Sequence, residues 1–380
     1  MLIDRSIYSR IKESLSPGLA VTVIYGPRQS GKTTLIGVLQ KELTGHILSF
    51  TGDDLNTQDL FGKPILDNLK KVVGSANYIV VDEAQRIANV GLSLKLIIDN
   101  LKIPIIVSGS SSFDLSGKIN EPLTGRTKTF YLYPFSFAEV KLHLPPQTPI
   151  DQKLDAFLRF GLYPKAFTLT TDKEKQEYLN ELINSYLYKD ILTMMEIRKP
   201  RKVVELLSLI ALQLGNEVSV TELSRSLGIS KVSVENYLDL LEKMFIIFNL
   251  RGFSRNLRKE ITKTSKYYFY DLGLRNALIR NFNPLNLRQD VGGLFENFCI
   301  VERLKVLANR GSEANHYFWR TYEQKEIDLI ENKDGRLNAF EFKINPAAKA
   351  KVSSFKEFLE TYSGSQATTI NSDSIENFLT

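Results

Sequence analysis

Residues 23–36, "VIYGPRQSGKTTLI", decide how the first part of this chain is read. Gly26, Gly31, Lys32 and Thr33 stand in the spacing GxxxxGK[ST], after a β-type run and before a helical one. Glycines at these places let backbone N–H groups close around a phosphate, and the following helix adds the positive end of its dipole. In such a loop Lys32 reaches the β- and γ-phosphates of ATP, and the Thr33 hydroxyl ligates Mg2+. Pro27, Arg28, Gln29, Ser30 and Thr34 complete the expected nucleotide contact.

A second motif supports the first. "NYIVVDEAQ", residues 77–85, is an apolar run ending in Asp82 and Glu83. Asp82 is expected to hold the magnesium through water, and Glu83 to orient and polarise the attacking water. "IPIIVSGSSS" closes another run with small hydroxyl residues, so Ser108 or Ser110 is a candidate sensor of the γ-phosphate; a Ser/Gly turn is the plainer alternative. Arg126 follows a glycine at the start of the next run. It is a candidate arginine finger, in cis or across a homo-oligomer contact, against the alternative of an ion-paired surface arginine.

Bulk properties set the frame. The chain has 380 residues, 43% hydrophobic and 24% charged, with a net charge of +6 that permits an anionic partner without requiring one. Its single cysteine, Cys299, excludes an internal disulfide framework, and three scattered histidines argue against a zinc site. No apolar run approaches the ~20 residues of a membrane span, and the N-terminus is charged too early for a signal peptide. The expected location is cytoplasmic. Up to the proline-rich "HLPPQTPIDQ", residues 143–152, short runs ("AVTVIYG", "HILSF", "YIVVDE", "IPIIVSG", "KTFYLYP") alternate with helical segments, as in a parallel α/β sheet.

"YGPRQSGKTTL", "VVDEAQ", "IVSGSS" and "LTGRTKTFYLYPFSFAEV", followed by "RFGLYP", resemble a prokaryotic branch of the AAA-type ATPases. In that family a P-loop domain with a helical lid precedes a domain of unknown function with a nuclease-like fold. The resemblance implies an ATPase of the additional-strand, catalytic-glutamate type. It yields an α/β P-loop sheet over 1–145, a lid over 146–199, a winged helix over 200–268 and a nuclease-like α/β domain over 269–380.

"SVTELSRSLGISKVSVENYLDLLEKMFIIFNL", residues 219–250, has the helix–turn–helix pattern, with Leu223, Leu227, Ile229, Val234, Leu238 and Leu241 as its apolar face. Gly228 marks the turn, and Thr221 with Glu222 the helix start. The second helix offers Lys231, Ser233 and Asn236, but Glu235, Asp239 and Glu242 suit a DNA groove poorly. The following segment carries Arg251, Arg255, Arg258, Lys259, Lys263 and Lys266 against Glu260 alone, a candidate for contacts to the DNA backbone.

The last motif is "EIDLIENKDGRLNAFEFKIN", residues 326–345. With Asp334-Gly335 at the centre of a hairpin turn, Lys333 faces Arg336 and Asp328 faces Glu341. One face then carries Glu326, Asp328, Ile330, Ala339, Glu341 and Lys343, and the other Ile327, Leu329, Phe340 and Phe342. Opposed carboxylates destabilise a sheet unless compensated, and a second Mg2+ or Mn2+ is the expected compensator. Asp328, Glu341 and Lys343 look like the PD-(D/E)xK nuclease core, with Glu296 (or, less well placed, Glu302) as the helix acid and Arg320 as a phosphate contact. The alternatives are an ATP-gated nuclease and an ATP-dependent switch that uses an inactive nuclease-like domain for docking.

Overall fold

The five apolar runs of the first half form one sheet in which every strand pair is parallel. The computed structural model describes residues 2–15, 20–110, 119, 122–185, 200–254, 265–348 and 352–380. They form two compact units, one of residues 2–134 with 243–245, the other of 135–242 with 246–380.

In the first unit, α1 (Tyr8–Ser14), β1 (Val21–Tyr25), α2 (Lys32–Glu42), β2 (Ile47–Thr51), α3 (Leu55–Gly62) and α4 (Leu66–Val73) precede β3 (Tyr78–Asp82). Then come α5 (Val90–Leu101), β4 (Ile105–Gly109) and β5 (Thr127–Tyr131). The strand order is β2-β3-β4-β1-β5. β4 therefore separates the strand that feeds the phosphate loop from the strand that ends in Asp82, as the additional-strand reading expects. All five β1 residues are buried, which is why that strand reads as an unbroken apolar run. Ile24, Leu35, Leu39, Ile106 and Phe130 join Ile7, just before α1, and Ile11 of α1 in the core.

The second unit opens with α6 (Phe137–Lys141), α7 (Ile150–Phe160), α8 (Pro164–Thr168), α9 (Asp172–Ser185) and α10 (Pro200–Leu212). β6 (Glu217–Val218), α11 (Val220–Leu227), α12 (Lys231–Lys243), β7 (Ile247–Gly252), β8 (Ser265–Phe269), α13 (Leu272–Leu278) and α14 (Val291–Arg310) follow. The chain ends with β9 (Asn315–Arg320), β10 (Glu326–Lys333), β11 (Arg336–Phe342), α15 (Val352–Thr361), β12 (Gln366–Ile370) and α16 (Ile375–Leu379). Its sheet has the order β12-β11-β10-β9-β7-β8-β6. One sheet runs across the expected boundary at 268/269, since β7 pairs in parallel with β9 through Arg251↔Tyr317 and Gly252↔Phe318. The start of α11 also shifts. Ser219, not Thr221, caps the helix by accepting the Glu222 N–H at 3.3 Å, while Gly228 ends it at φ +62° as its turn role requires. Among the described residues no helix is long and apolar enough to cross a membrane.

Buried polar groups pin this unit internally. Asp271 caps α13 by accepting the Leu274 N–H at 3.2 Å, and its other oxygen accepts the Leu162 N–H at 2.7 Å. Gly161, at φ +67°, admits this contact because a Cβ there would lie 2.0 Å from Asp271 Oδ1. Nearby, Glu302 accepts the Phe137 N–H at 2.6 Å and is paired with Lys305, which also donates to the Phe135 carbonyl at 3.1 Å. Glu302 is thus committed to this contact, away from the hairpin.

Burial pushes the Asp271 carboxyl up from 3.8 to about 6, against the opposing pull of Lys305 and of the N–H donors. Asp271→Ala leaves two buried N–H groups without acceptors and should cost about 2–4 kcal/mol in chemical denaturation. The folded pKa lies above the unfolded one, so this group's contribution is complete below the unfolded pKa and fades as pH rises through about 6. The mutational cost should therefore be larger near pH 4.5 than near pH 7.5, by about 2 kcal/mol or more.

Candidate nucleotide and carboxylate sites

The phosphate loop is shaped by close backbone approach. A Cβ at Gly26 would lie 2.1 Å from the Leu132 carbonyl oxygen, so only glycine lets the loop leave β1 here. Gln29 at φ +59° and Gly31 at φ +97° turn the chain into α2. Lys32 is buried, and its ammonium donates to the carbonyls of Gly26 and Pro27 at 2.8 and 2.9 Å. Phosphate oxygens would replace these two acceptors. Burial pulls the Lys32 ammonium down from 10.5 to about 8, opposed by Glu83 and Asp82 and reinforced by Arg28. Ser30 is buried, and its hydroxyl has no hydrogen-bond partner among the described residues. Arg28 is half-buried; Gln29, Thr33 and Thr34 are exposed.

The Thr33 hydroxyl donates to Asp82 Oδ2 at 2.8 Å, so the hydroxyl and carboxylate expected around magnesium already meet. They fit the ion: a hydroxyl and one carboxylate leave room for the waters and phosphate oxygens that magnesium keeps. Ser108 of β4 hydrogen-bonds Asp82 Oδ1. Glu83 sits at φ +50° just past the end of β3, and Gln85 donates to its Oε2 at 2.5 Å and to Ser110 Oγ at 3.0 Å. Ser110 is thus tied to the site through Gln85. Sequence reasoning passed over Gln85, although the "DEAQ" string contains it.

Arg126 is not a finger in cis. Its carbonyl accepts the Val21 N–H at 2.7 Å, which fixes it at the start of β1 and β5, whereas the phosphate loop leaves the far end of β1. Four residues of strand, about 13 Å, separate the two levels. Its guanidinium is engaged by Asp99 at 2.8 Å.

The hairpin forms as its Asp334-Gly335 turn dictates: both residues have positive φ, and the ladder runs from Lys333↔Arg336 to Leu329↔Phe340. The simple alternation of faces fails beyond that. The β9–β10 register shifts between Ile327 and Ile330, and both residues enter one apolar cluster with Trp319, Ala339 and Phe358. A bulge puts residues of odd and even parity on the same side. Asp328 accepts the Phe342 N–H at 2.8 Å, and Glu341 pairs with Lys343 at 2.7 Å.

Glu296, Asp328 and Glu341 are the expected metal set of this region. Among the described residues no three His, Cys, Asp or Glu side chains are gathered as a metal requires. The buried cation among these carboxylates is Lys266, expected on a DNA-facing loop but 1% exposed, while Lys343 on Glu341 is part-exposed. It pairs with Glu296 at 3.3 Å and with Glu326, while Tyr268 donates to Glu296. Burial raises the Asp328 carboxyl well above the usual range, with Glu296 and Glu341 adding to it and Lys266 opposing. Burial likewise raises Glu296. The Lys266 ammonium ends above its usual value because Glu296, Glu326 and Asp328 outweigh burial. Arg320 pairs with Glu217 at 2.7 Å and Glu326 at 3.7 Å and is not free for phosphate. Arg255, Arg258, Lys259, Glu260 and Lys263 lie outside the described residues.

Comparison with known proteins agrees with the first site. Residues 20–141 match the profile of an AAA domain. Over those residues the chain is similar to that family, and the phosphate loop and Asp82 both fall inside the match. Residues 151–285 and 291–377 match two domains of unknown function, DUF8612 and DUF4143. An uncharacterized protein of Mycobacterium tuberculosis, Rv2008c, is 28% identical over 349 residues, covering 90% of this chain and 74% of that protein. An uncharacterized protein of Methanocaldococcus jannaschii, MJ1544, is 24% identical over 336 residues, covering 83% and 73%. The Walker-type ATPase PABY2304 of Pyrococcus abyssi superposes with a TM-score of 0.50 at 19% identity, covering 73% of this chain and 96% of that one, a likeness of fold.

Two outcomes follow from these geometries. At the phosphate loop, phosphate favours the ammonium form of Lys32, so ATP binding should take up protons near pH 8.5, and affinity should fall as pH rises above about 8. Calorimetry in buffers of different ionisation enthalpy reads the uptake. In the second unit, Lys266→Met strands buried carboxylates and should cost about 3–5 kcal/mol near pH 8. The cost should shrink as pH falls, because these raised carboxyls take up protons more readily than ordinary ones; denaturant melts near pH 8 and near pH 5 check the sign.

Proposed function

We propose that this chain is a magnesium-dependent ATPase whose nucleotide state drives a switch, and whose C-terminal hairpin docks a partner instead of cutting DNA. The observation that carries the ATPase reading is the meeting of Thr33 and Asp82 at 2.8 Å beside a Glu83 restrained by Gln85. A protein that only bound nucleotide would need no carboxylate held next to the magnesium ligands. Hydrolysis begins when Glu83 is released from Gln85 toward a water lined up on the γ-phosphate.

The docking reading is supported by Lys266. Its ammonium supplies among Glu296, Glu326 and Asp328 the charge that a nuclease would take from its metal. The packing of α14 on the sheet beside β8 and β11, with the order of Asp328, Glu341 and Lys343, supports a nuclease-like layout. The element order α10-β6-α11-α12-β7-β8, with β6-β8-β7 as neighbours, supports a winged helix. Arg251 is exposed at the end of β7, and the basic run after it remains the candidate for DNA backbone contact. The partner is therefore nucleic acid held without sequence choice, or a protein.

Glu83→Gln should retain ATP binding and lower kcat about 10²-fold or more, measured by phosphate release. With Mg2+ or Mn2+, and with or without ATP, the wild type should leave linear, supercoiled and branched DNA intact. Cleavage by the wild type that disappears in Glu341→Ala/Lys343→Ala would instead establish a nuclease.

A further inference from the structure

We propose that Arg5 is a positioning residue of the nucleotide site, a part that lies outside the phosphate-loop motif. The inference rests on the ATPase reading and adds to it a residue from the segment before α1.

The Arg5 guanidinium donates from Nη1 to the Ser30 carbonyl at 2.8 Å and from Nη2 to the Tyr133 carbonyl at 2.6 Å. The Ser30 carbonyl belongs to the same peptide unit as the Gly31 N–H. In a planar trans peptide these two groups point in opposite directions. Holding the carbonyl toward Arg5 therefore turns the Gly31 N–H away from Arg5, to the side where a phosphate loop presents its donors. A charged donor on the carbonyl also polarises the peptide and strengthens that N–H as a donor.

The second bond gives this clamp a fixed base. Gly26, the first residue of the loop, is pressed against the Leu132 carbonyl, and Leu132 donates its N–H to Tyr25 at 2.7 Å. Arg5 ties the last turn of the loop to Tyr133, the next residue. Both ends of the loop are thus anchored to one dipeptide after β5, one end by backbone packing and the other by a side chain. A guanidinium suits the task because two of its nitrogens reach separate carbonyls from one rigid plane; a lysine has one nitrogen. Leu132-Tyr133 is also where the chain leaves this unit, at Pro134, so the clamp joins the loop to the covalent exit.

The test uses the full chain as wild type, Arg5→Lys and Arg5→Met. ATP and ADP affinities are measured by calorimetry, steady-state kinetics by phosphate release, and thermal midpoints without nucleotide. Arg5→Met should weaken both nucleotides about tenfold or more and raise KM in parallel, with kcat within about threefold, because Arg5 orders the loop and touches no reacting atom. Arg5→Lys should fall between. Affinities within about twofold of wild type, even with a lower thermal midpoint, would reduce Arg5 to a structural tie and overturn the proposal. So would a fall in kcat at unchanged affinity. Should Arg5→Met not fold, Arg5→Lys decides by the same readings. A wild type that binds no ATP would sink the ATPase reading itself, whereas a binding wild type with an indifferent Arg5→Met sinks only this inference.

Discussion

The parallel insertion of β4 between β1 and β3 is the constraint on which the nucleotide site depends. Val107 pairs with Val23 on one side and with Val81 on the other, so the three strands advance in step and end at one level. At that level the phosphate loop leaves β1, Asp82 and Glu83 leave β3, and Ser108 and Ser110 leave β4. Parallel strands displaced by one place leave room between β1 and β3 for a polar layer. Ser108 and Gln85 fill it: one fixes an oxygen of Asp82, the other holds Glu83. Had β1 and β3 been direct neighbours, Ser108 would have no strand to carry it to Asp82.

The same geometry sets the site's charge balance. Lys32 is buried beside two carboxylates, yet burial still pulls its ammonium down to about 8. Desolvation therefore outweighs the two attractions at this lysine, and its proton is held loosely until an anion arrives. The loop carbonyls of Gly26 and Pro27 partly compensate meanwhile. A site poised in this way takes up a proton as the polyphosphate binds, and it holds the ligand less tightly at any pH where the lysine has already lost that proton.

How much was legible in the sequence follows from the range of each interaction. The phosphate loop, the Asp82-Glu83 pair and the five strands rest on local pattern, and short windows reveal them. The Asp334-Gly335 turn was legible for the same reason: two adjacent residues fix two positive φ values. What escaped depends on contacts distant in sequence. Arg5 meets Ser30 and Tyr133, and no window contains all three. Lys266 read as one more cation in a basic loop because nothing local says that β8 runs beside α14 and delivers it to Glu296. The bulge between Ile327 and Ile330 is set by the pairing of β9 with β10, so an alternation count made within the hairpin alone could not include it. Arg126 shows the opposite limit: its neighbours place it at a strand start, but only the sheet says that this start lies at the far end of β1 from the phosphate loop of its own chain.

Lys266 also bears on what a nuclease-like constellation means. Carboxylates crowded in a low-dielectric region need positive charge, and an ammonium or a divalent ion can provide it. The two differ in what they leave open. A metal with few protein ligands keeps exchangeable waters and can generate hydroxide. An ammonium hydrogen-bonded to Glu296 and Glu326 makes no nucleophile. With Lys266 seated there and Lys343 on Glu341, the ion pairs tie β8, α14 and β10 together. An Asp…Glu-x-Lys string thus specifies a demand for charge near the hairpin, and the rest of the fold decides whether that demand is met by a reactive ion or by a side chain.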